Sequence, residues 1–516
     1  MRTKIGLLSA LITICLIVMP SCNPPWEDHY SIPEGQIDME LWEAVSMEPN
    51  FSTYVSKMQE LGLDTIFQDG LVYTLFIPNN EAFNSYKDTG NLMQIMQYHI
   101  TKTIIIDGIV QKSRRLFTIT EKYALIEHNG SDYTFDGIPI IAGSPLFQNG
   151  KYYEISNVAL PKPNLYEFTA EKSLGLKEYI DSKDSIYLDR GLSTPIGFDE
   201  KGNTIYDSVF NIINTFEQEY FPISEEFRNK AATFIIFTNE QYISALDDMA
   251  AKLGGDIVDH NDIPASWQDN ILLPDFTERA MFPGDLSYSD LEQGKLLSIT
   301  GDSVEIQAEY IDPESRSICS NGTAYLYSDF IIPDELYIRT AMQEGELLLD
   351  SVGAGKFAWK EGVTTSGIII EPEKSYSTRA SEGSLANVSF VRNFSGEFSL
   401  EFTFREMFPM RYRLEWRGNY RPSGMYEVYV NDQILEYKDK FDESYTAFDT
   451  YYFNSPILSV TGELFQPDEV GFNTRDYWID HLTDYGDIRI RFKYLGPGEK
   501  STNGFNIDYV KLIPES

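Results

Sequence analysis

The feature that most constrains this chain is a pair of motifs that recurs in the same order. Thr74-Leu75-Phe76-Ile77-Pro78-Asn79-Asn80-Glu81-Ala82-Phe83 has a partner in Thr233-Phe234-Ile235-Ile236-Phe237-Thr238-Asn239-Glu240-Gln241-Tyr242. Each is an apolar strand that runs into Asn-Glu and then an aromatic. Asn149 to Pro161 matches Asn321 to Pro333 in length, and in both an Asn-Gly turn opens a strand that ends at proline. Two motifs recurring in order mark a duplicated domain. The first repeats after 159 residues and the second after 172, so the second copy carries an insertion.

Local chemistry supports the same outline. Asn79-Asn80-Glu81 after an apolar strand predicts a helix start, where a side-chain oxygen caps free backbone amides and Glu81 meets the positive first turn. Leu92, Ile95, Met96 and His99 fall on one face of a helix. His99 on that face is expected to make a core hydrogen bond rather than a ligand contact.

On these residues the chain resembles the fasciclin-like family. Thr74 to Phe83 is similar to its first signature, Asn149 to Pro161 to its second, and Gln97-Tyr98-His99-Ile100 to its Tyr-His step. The first copy spans roughly 37–161. The second, roughly 170–336, departs from the pattern: Phe237 stands where Pro78 does, and Ile271-Leu272-Leu273-Pro274-Asp275 stands where Tyr-His is expected. The resemblance implies an α+β fold, a wedge of sheet with helices packed against it. That fold is expected to carry over to the second copy more safely than any binding role.

From about Glu344 the pattern changes to alternation, as in Phe398-Ser399-Leu400-Glu401-Phe402 and Tyr412-Arg413-Leu414-Glu415-Trp416. Tyr426 to Val430 followed by Asn431-Asp432 is a hairpin signal, and several short strands with little helical signal predict a β-sandwich over 345–516. The fold class expected is therefore α+β: two tandem fasciclin-like domains followed by an all-β jelly-roll sandwich. The ending Asn503 to Leu512 resembles the last loop and strand of galactose-binding-like jelly rolls, including some carbohydrate-binding modules. That resemblance implies a glycan ligand touched by Asn506. Tyr477 and Trp478, set between Arg475-Asp476 and Asp480, read as loop aromatics able to stack on sugar, whereas Trp416 in an alternating strand reads as core.

The amino end addresses the compartment. Arg2 and Lys4 precede the uncharged run Ile5 to Met19, and Pro20, Ser21 and Cys22 close it, as in a signal peptide over residues 1–21. Ser21-Cys22 resembles the lipobox of bacterial lipoproteins, which implies lipidation of Cys22 and an outer-membrane anchor. Residues 22–36, with Pro24, Pro25, Glu27 and Asp28, read as a tether. With Cys15 leaving in the signal and Cys22 acylated, Cys319 alone remains, so packed cores rather than disulfides must hold the mature fold. One thiol and five scattered histidines argue against a structural zinc site.

The charge, 41 basic against 79 acidic residues, repels nucleic acid and specifies no ligand. No Gly-x-Ser-x-Gly, His-Glu-x-x-His or Cys-His arrangement is present, and Gly353-Ala354-Gly355-Lys356 lacks the spacing of a phosphate loop. The chain thus reads as a non-enzymatic cell-surface lipoprotein without a cofactor. Its expected role is glycan capture, or accessory service beside an outer-membrane transporter and its sugar-binding lipoprotein. The alternative is adhesion to host or neighbour-cell proteins through the fasciclin-like domains.

Overall fold

The computed structural model describes residues 36–346, 355–359, 373–389, 398–419, 424–438, 443–449, 472–498 and 504–515, less positions 69, 88–89, 107, 109, 111, 131, 190, 228–229 and 378. Cys22, Glu27-Asp28 and Gly353-Ala354 lie outside the described residues. Two compact units emerge. One is Met1–Leu165 with Ser224–Ala231 and Ile318–Gly322; the other is Tyr166–Ile223, Ala232–Ser317 and Thr323–Ser516.

The first repeat is built on the strand Tyr73–Pro78, in which every residue is buried. Its continuous apolar run suits a strand covered on both faces. It pairs in parallel with Gly150–Ile155 and antiparallel with Ile100–Thr101. Asn79 caps the helix Asn80–Ser85, its side chain accepting from Ala82 N at 2.9 Å, as the Asn-Asn-Glu sequence predicts. One core lies among the helices Leu41–Met47 and Ser52–Glu60 and the inner strand, around Val45, Tyr54, Met58 and Leu75. A second core lies where Phe76, Tyr98 and Ile155 meet the hairpins from Ser113 to Gly143, which supply Leu116, Ile126 and Phe135.

The second repeat reuses the same local bonds at equivalent positions. In the first, Thr74 Oγ1 donates to Thr103 O (2.6 Å) and accepts from Ile105 N (2.9 Å); in the second, Thr233 Oγ1 donates to Gly284 O (2.7 Å) and accepts from Leu286 N (2.8 Å). Asn149 Oδ1 accepts from Leu41 N at 2.7 Å, and Asn321 Oδ1 accepts from Leu165 N at 2.8 Å. These bonds fix the register. Since Thr74 faces Thr101 and Thr233 faces Phe282, the position of Tyr98-His99 is taken by Arg279-Ala280. The assignment of Ile271 to Asp275 to that step is therefore corrected. Those residues lie in a π-turn and the start of the helix Leu273–Ala280, because the insertion of the second copy falls just before that helix.

The insertion has a visible use. Gly254 N donates to Pro409 O (2.7 Å) and Asp256 N to Thr483 O (2.9 Å), while Trp267 packs edge-on against Phe408 at 5.0 Å. Gly255 has φ +62°, and a Cβ there would sit 2.3 Å from Thr483 O, so only glycine allows this approach. Most of the second repeat thus shares one compact unit with the sandwich.

The sandwich itself is antiparallel. Ala341–Glu344, Tyr509–Pro514, Tyr412–Asn419 and Phe472–Ile479 form one sheet; Gly355–Trp359, Phe398–Met407, Gly486–Pro497 and Gly424–Val430 build another. Alternation along Tyr412–Asn419 buries Tyr412, Leu414 and Trp416, and Trp416 meets Phe492 of the facing sheet at 5.8 Å. Asn431 and Asp432 both take positive φ (47° and 67°), the turn that their sequence predicts for a tight hairpin.

Candidate functional site

Tyr477 and Trp478 are not in a loop. Both lie in the strand Phe472–Ile479, Tyr477 opposite Leu414 and Trp478 opposite Arg413. The flanking charges that suggested a loop are satisfied inside the fold. Arg475 is 2% exposed and donates to Asp449 O, and Asp476 sits 3.6 Å from Arg413. As strand neighbours, the two aromatics point to opposite faces and cannot form one stacking platform. The Tyr477 hydroxyl donates to Glu436 O, and the Arg411 guanidinium lies 4.4 Å over the Trp478 ring.

Asn506 is 2% exposed and spends its amide on the neighbouring strand. Its Oδ1 accepts from Asn419 N (2.6 Å) and its Nδ2 donates to Asn419 O (3.0 Å). The cavity beside it holds about 10 Å³, room for a single water. Trp478 pairs at Arg413 and Asn506 at Asn419, six residues along the strand, or about 20 Å. The structure does not bring the three candidate residues together.

A larger cavity, of about 500 Å³, opens in the second repeat. That size suits a small ligand or one long side chain. Its floor includes Ile235, Leu272, Phe276 and Phe330, all buried, and Phe276 and Phe330 meet edge-to-face at 5.6 Å. At its mouth stand Asp275, Glu305, Asp329 and Glu335, with Arg279 paired to Asp275 at 2.9 Å. Burial pushes the Asp275 carboxyl above its usual range, the Arg279 charge opposing and Glu335 adding to the rise. Burial likewise raises the Tyr327 hydroxyl on the cavity wall, with Arg279 opposing.

The corresponding place in the first repeat is closed. His99 Nδ1 donates to Ile95 O (2.7 Å) and its Nε2 accepts from Ala159 N (3.0 Å), tying the helix Leu92–Tyr98 to the chain beyond the strand Gly150–Ile155. Burial lowers its pKa to about 4, so the ring is neutral. Tyr98 donates to Asp136 Oδ2 at 2.6 Å, and Asp136 Oδ1 accepts from Leu125 N at 2.6 Å. This is the core hydrogen bonding expected of His99.

Residues 49–161 match the profile of the Fasciclin domain family. This segment is a fasciclin domain. Over 134 residues the chain is 30% identical to the transforming growth factor-beta-induced protein ig-h3 of Sus scrofa, a match covering 24% of this chain and 20% of that protein. The chain thus spans about a fifth of the length of that curated relative. Among solved structures, it is similar to a family 35 carbohydrate binding module from Clostridium thermocellum (15% identity, TM-score 0.19, 34% of this chain and 99% of that one). It is also similar to a Paenibacillus xanthan lyase (16% identity, TM-score 0.21, 38% of this chain and 16% of that one).

Against the fasciclin domain, the open cavity of the second repeat has a simple origin. Phe76, Tyr98, Ile155 and Ala159 belong to the filled second core of the domain. Their register equivalents Ile235, Arg279, Tyr327 and Ile331 all line the cavity. The hairpins that supply Leu116, Ile126 and Phe135 are replaced by the short pair Lys295–Leu297 and Ser303–Glu305 and a turn at Ala308–Tyr310. Sequence placed Ile235, Leu272, Asp275 and Tyr327 within its motifs but marked none of the cavity residues as a ligand contact. The available signal was departure from the pattern: Phe237 in place of Pro78 is 1% exposed and packs at a tilt against Phe276 and Phe330, each at 4.6 Å.

Among the described residues, no group of three or more His, Cys, Asp or Glu is placed to hold a metal ion, and no helix is long and apolar enough to cross a membrane.

Proposed function

We propose that this chain is a non-enzymatic binding protein of the adhesion type, anchored on an outer membrane through Cys22. Two tandem fasciclin-like domains and a galactose-binding-like sandwich form its exposed part, and the second fasciclin-like domain holds a protein partner. The observation that carries this reading is the pairing of a closed fasciclin domain with a second repeat whose equivalent core is open. A duplicate that has lost its Tyr-His tie and its covering hairpins exposes a shaped, mostly apolar surface. Such surfaces mark binding sites.

Glycan capture, alone or beside an outer-membrane transporter and its sugar-binding lipoprotein, is the second reading. Trp478 favours it, as a half-buried ring on the side of the sheet away from Leu414. Asn506 and Tyr477 do not contribute to that surface.

One experiment separates the two. Cells displaying the full chain are applied to target surfaces pretreated with protease or with periodate. The adhesion reading expects attachment to survive periodate, which destroys glycans, and to be lost after protease. The reverse pattern replaces it with glycan capture. In parallel, Cys22→Ala should remove radiolabelled fatty acid from the protein, and unchanged labelling would sink the anchor.

A further inference from the structure

We propose that the cavity of the second repeat receives a cationic side chain, an arginine or lysine on an exposed segment of the protein partner. The proposal rests on the protein-binding reading above and supplies its chemistry. Four carboxylates line the cavity, those of Asp275, Glu305, Asp329 and Glu335, against one guanidinium, that of Arg279. Arg279 is already committed to Asp275 at 2.9 Å, so three acidic groups face the opening without a cation of the cavity's own.

An uncharged ligand would strip water from those carboxylates and leave their mutual repulsion in place, and an anion would add to it. A cation relieves both. Burial raises the Asp275 carboxyl against the pull of Arg279, and the neighbouring Glu335 adds a smaller push in the same direction as burial.

Behind the acidic mouth the wall is aromatic. Phe276, Tyr327 and Phe330 lie within 6.3 Å of one another, centroid to centroid. Ring faces attract ammonium and guanidinium groups, and the apolar stem of lysine or arginine packs well against them. A volume of about 500 Å³ accommodates one such side chain with its flanking backbone, and is too small for a folded element. Among the described residues of the first repeat, Tyr98 and the hairpin side chains fill the equivalent place.

The test is calorimetry and saturation-transfer NMR on the full mature chain. The probes are a blocked Gly-Arg-Gly peptide, its lysine and citrulline counterparts, and galactose. The expectation is binding of both cationic peptides with Kd on the order of 0.1–1 mM, weakened severalfold between low and physiological salt. Citrulline, which keeps the shape of arginine without its charge, should bind at least tenfold more weakly. The double substitution Glu305→Gln with Asp329→Asn should also cost about tenfold or more while leaving the circular dichroism spectrum unchanged. Citrulline binding as tightly as arginine, galactose displacing the cationic peptide, or no cationic binding up to about 10 mM would each overturn the proposal. The salt and citrulline arms do not depend on any variant folding. Protein-dependent cell attachment that persists in the double variant would remove this inference and leave the adhesion reading standing.

Discussion

In the first repeat, the wedge between Phe76 and the Ser113–Gly143 hairpins is packed shut. Phe76 stacks on Phe135 at 4.0 Å, Tyr98 holds Asp136, and His99 spans two backbone groups. In the second repeat the same wedge is hollow, and its register equivalents line a cavity. The two copies share the hydrogen bonds of Thr74 and Thr233, and of Asn149 and Asn321. The two segments keep the same register-setting bonds and differ in the side chains that fill the space above the sheet. A fold of this kind has two separable parts: a hydrogen-bonded frame, and a packing layer that can be exchanged for a binding surface.

The comparison is broken or sharpened most strongly by truncation at matched positions. Tyr98→Ala should destabilise the first repeat by about 3–5 kcal/mol, because it opens a cavity and leaves the buried Asp136 without its hydroxyl partner. Its equivalent, Arg279→Ala, removes a rim ion pair and should cost the second repeat under about 1 kcal/mol. Urea titration read by hydrogen exchange, peptide by peptide, gives both values. Equal costs would mean that the second core is closed in solution.

Acid should separate the repeats next. His99 has a folded pKa of about 4, below the unfolded value of 6.5, so the unfolded chain binds the proton more tightly. Its contribution is therefore fully present above pH 6.5 and is lost as pH falls to about 4, amounting to about 3 kcal/mol. Ala280 gives the second repeat no such dependence at this position. Hydrogen exchange corrected for intrinsic rates should show the first repeat loosening over that window, and His99→Gln should flatten the profile. A first repeat whose stability does not change between pH 6.5 and 4 would contradict the buried neutral histidine.

Two smaller effects probe the shared frame and the exchanged layer. Thr74→Val and Thr233→Val each orphan a donor and an acceptor that are at least partly buried, and should cost about 1–3 kcal/mol, similar in the two repeats. A marked inequality would show that the frames are not equivalent. Glu305→Gln with Asp329→Asn, both exposed at the cavity mouth, should change stability by less than about 0.5 kcal/mol. A larger loss by denaturation would mean that those carboxylates hold the fold.

Much of this was legible from the chain alone. The paired motifs located the buried strands Tyr73–Pro78 and Ala232–Ile236, Asn79 announced its helix cap, and alternation in Tyr412–Asn419 separated buried from half-buried side chains. These are short-range properties: a strand, a cap or a turn depends on neighbours a few residues away, and sequence records neighbours directly. What sequence could not decide was where charged and aromatic residues ended up across the fold. Arg475 and Asp476 beside Tyr477-Trp478 looked solvated because nothing local shows that Asp449 and Arg413 reach them. Asn506 looked available because its use by Asn419 arises from a strand 87 residues away. The cavity was invisible for the same reason. A void is an absence of side chains supplied from elsewhere, and only the tertiary structure shows that the hairpins filling the first repeat give way, beside Phe276 and Phe330, to the short pair Lys295–Leu297 and Ser303–Glu305.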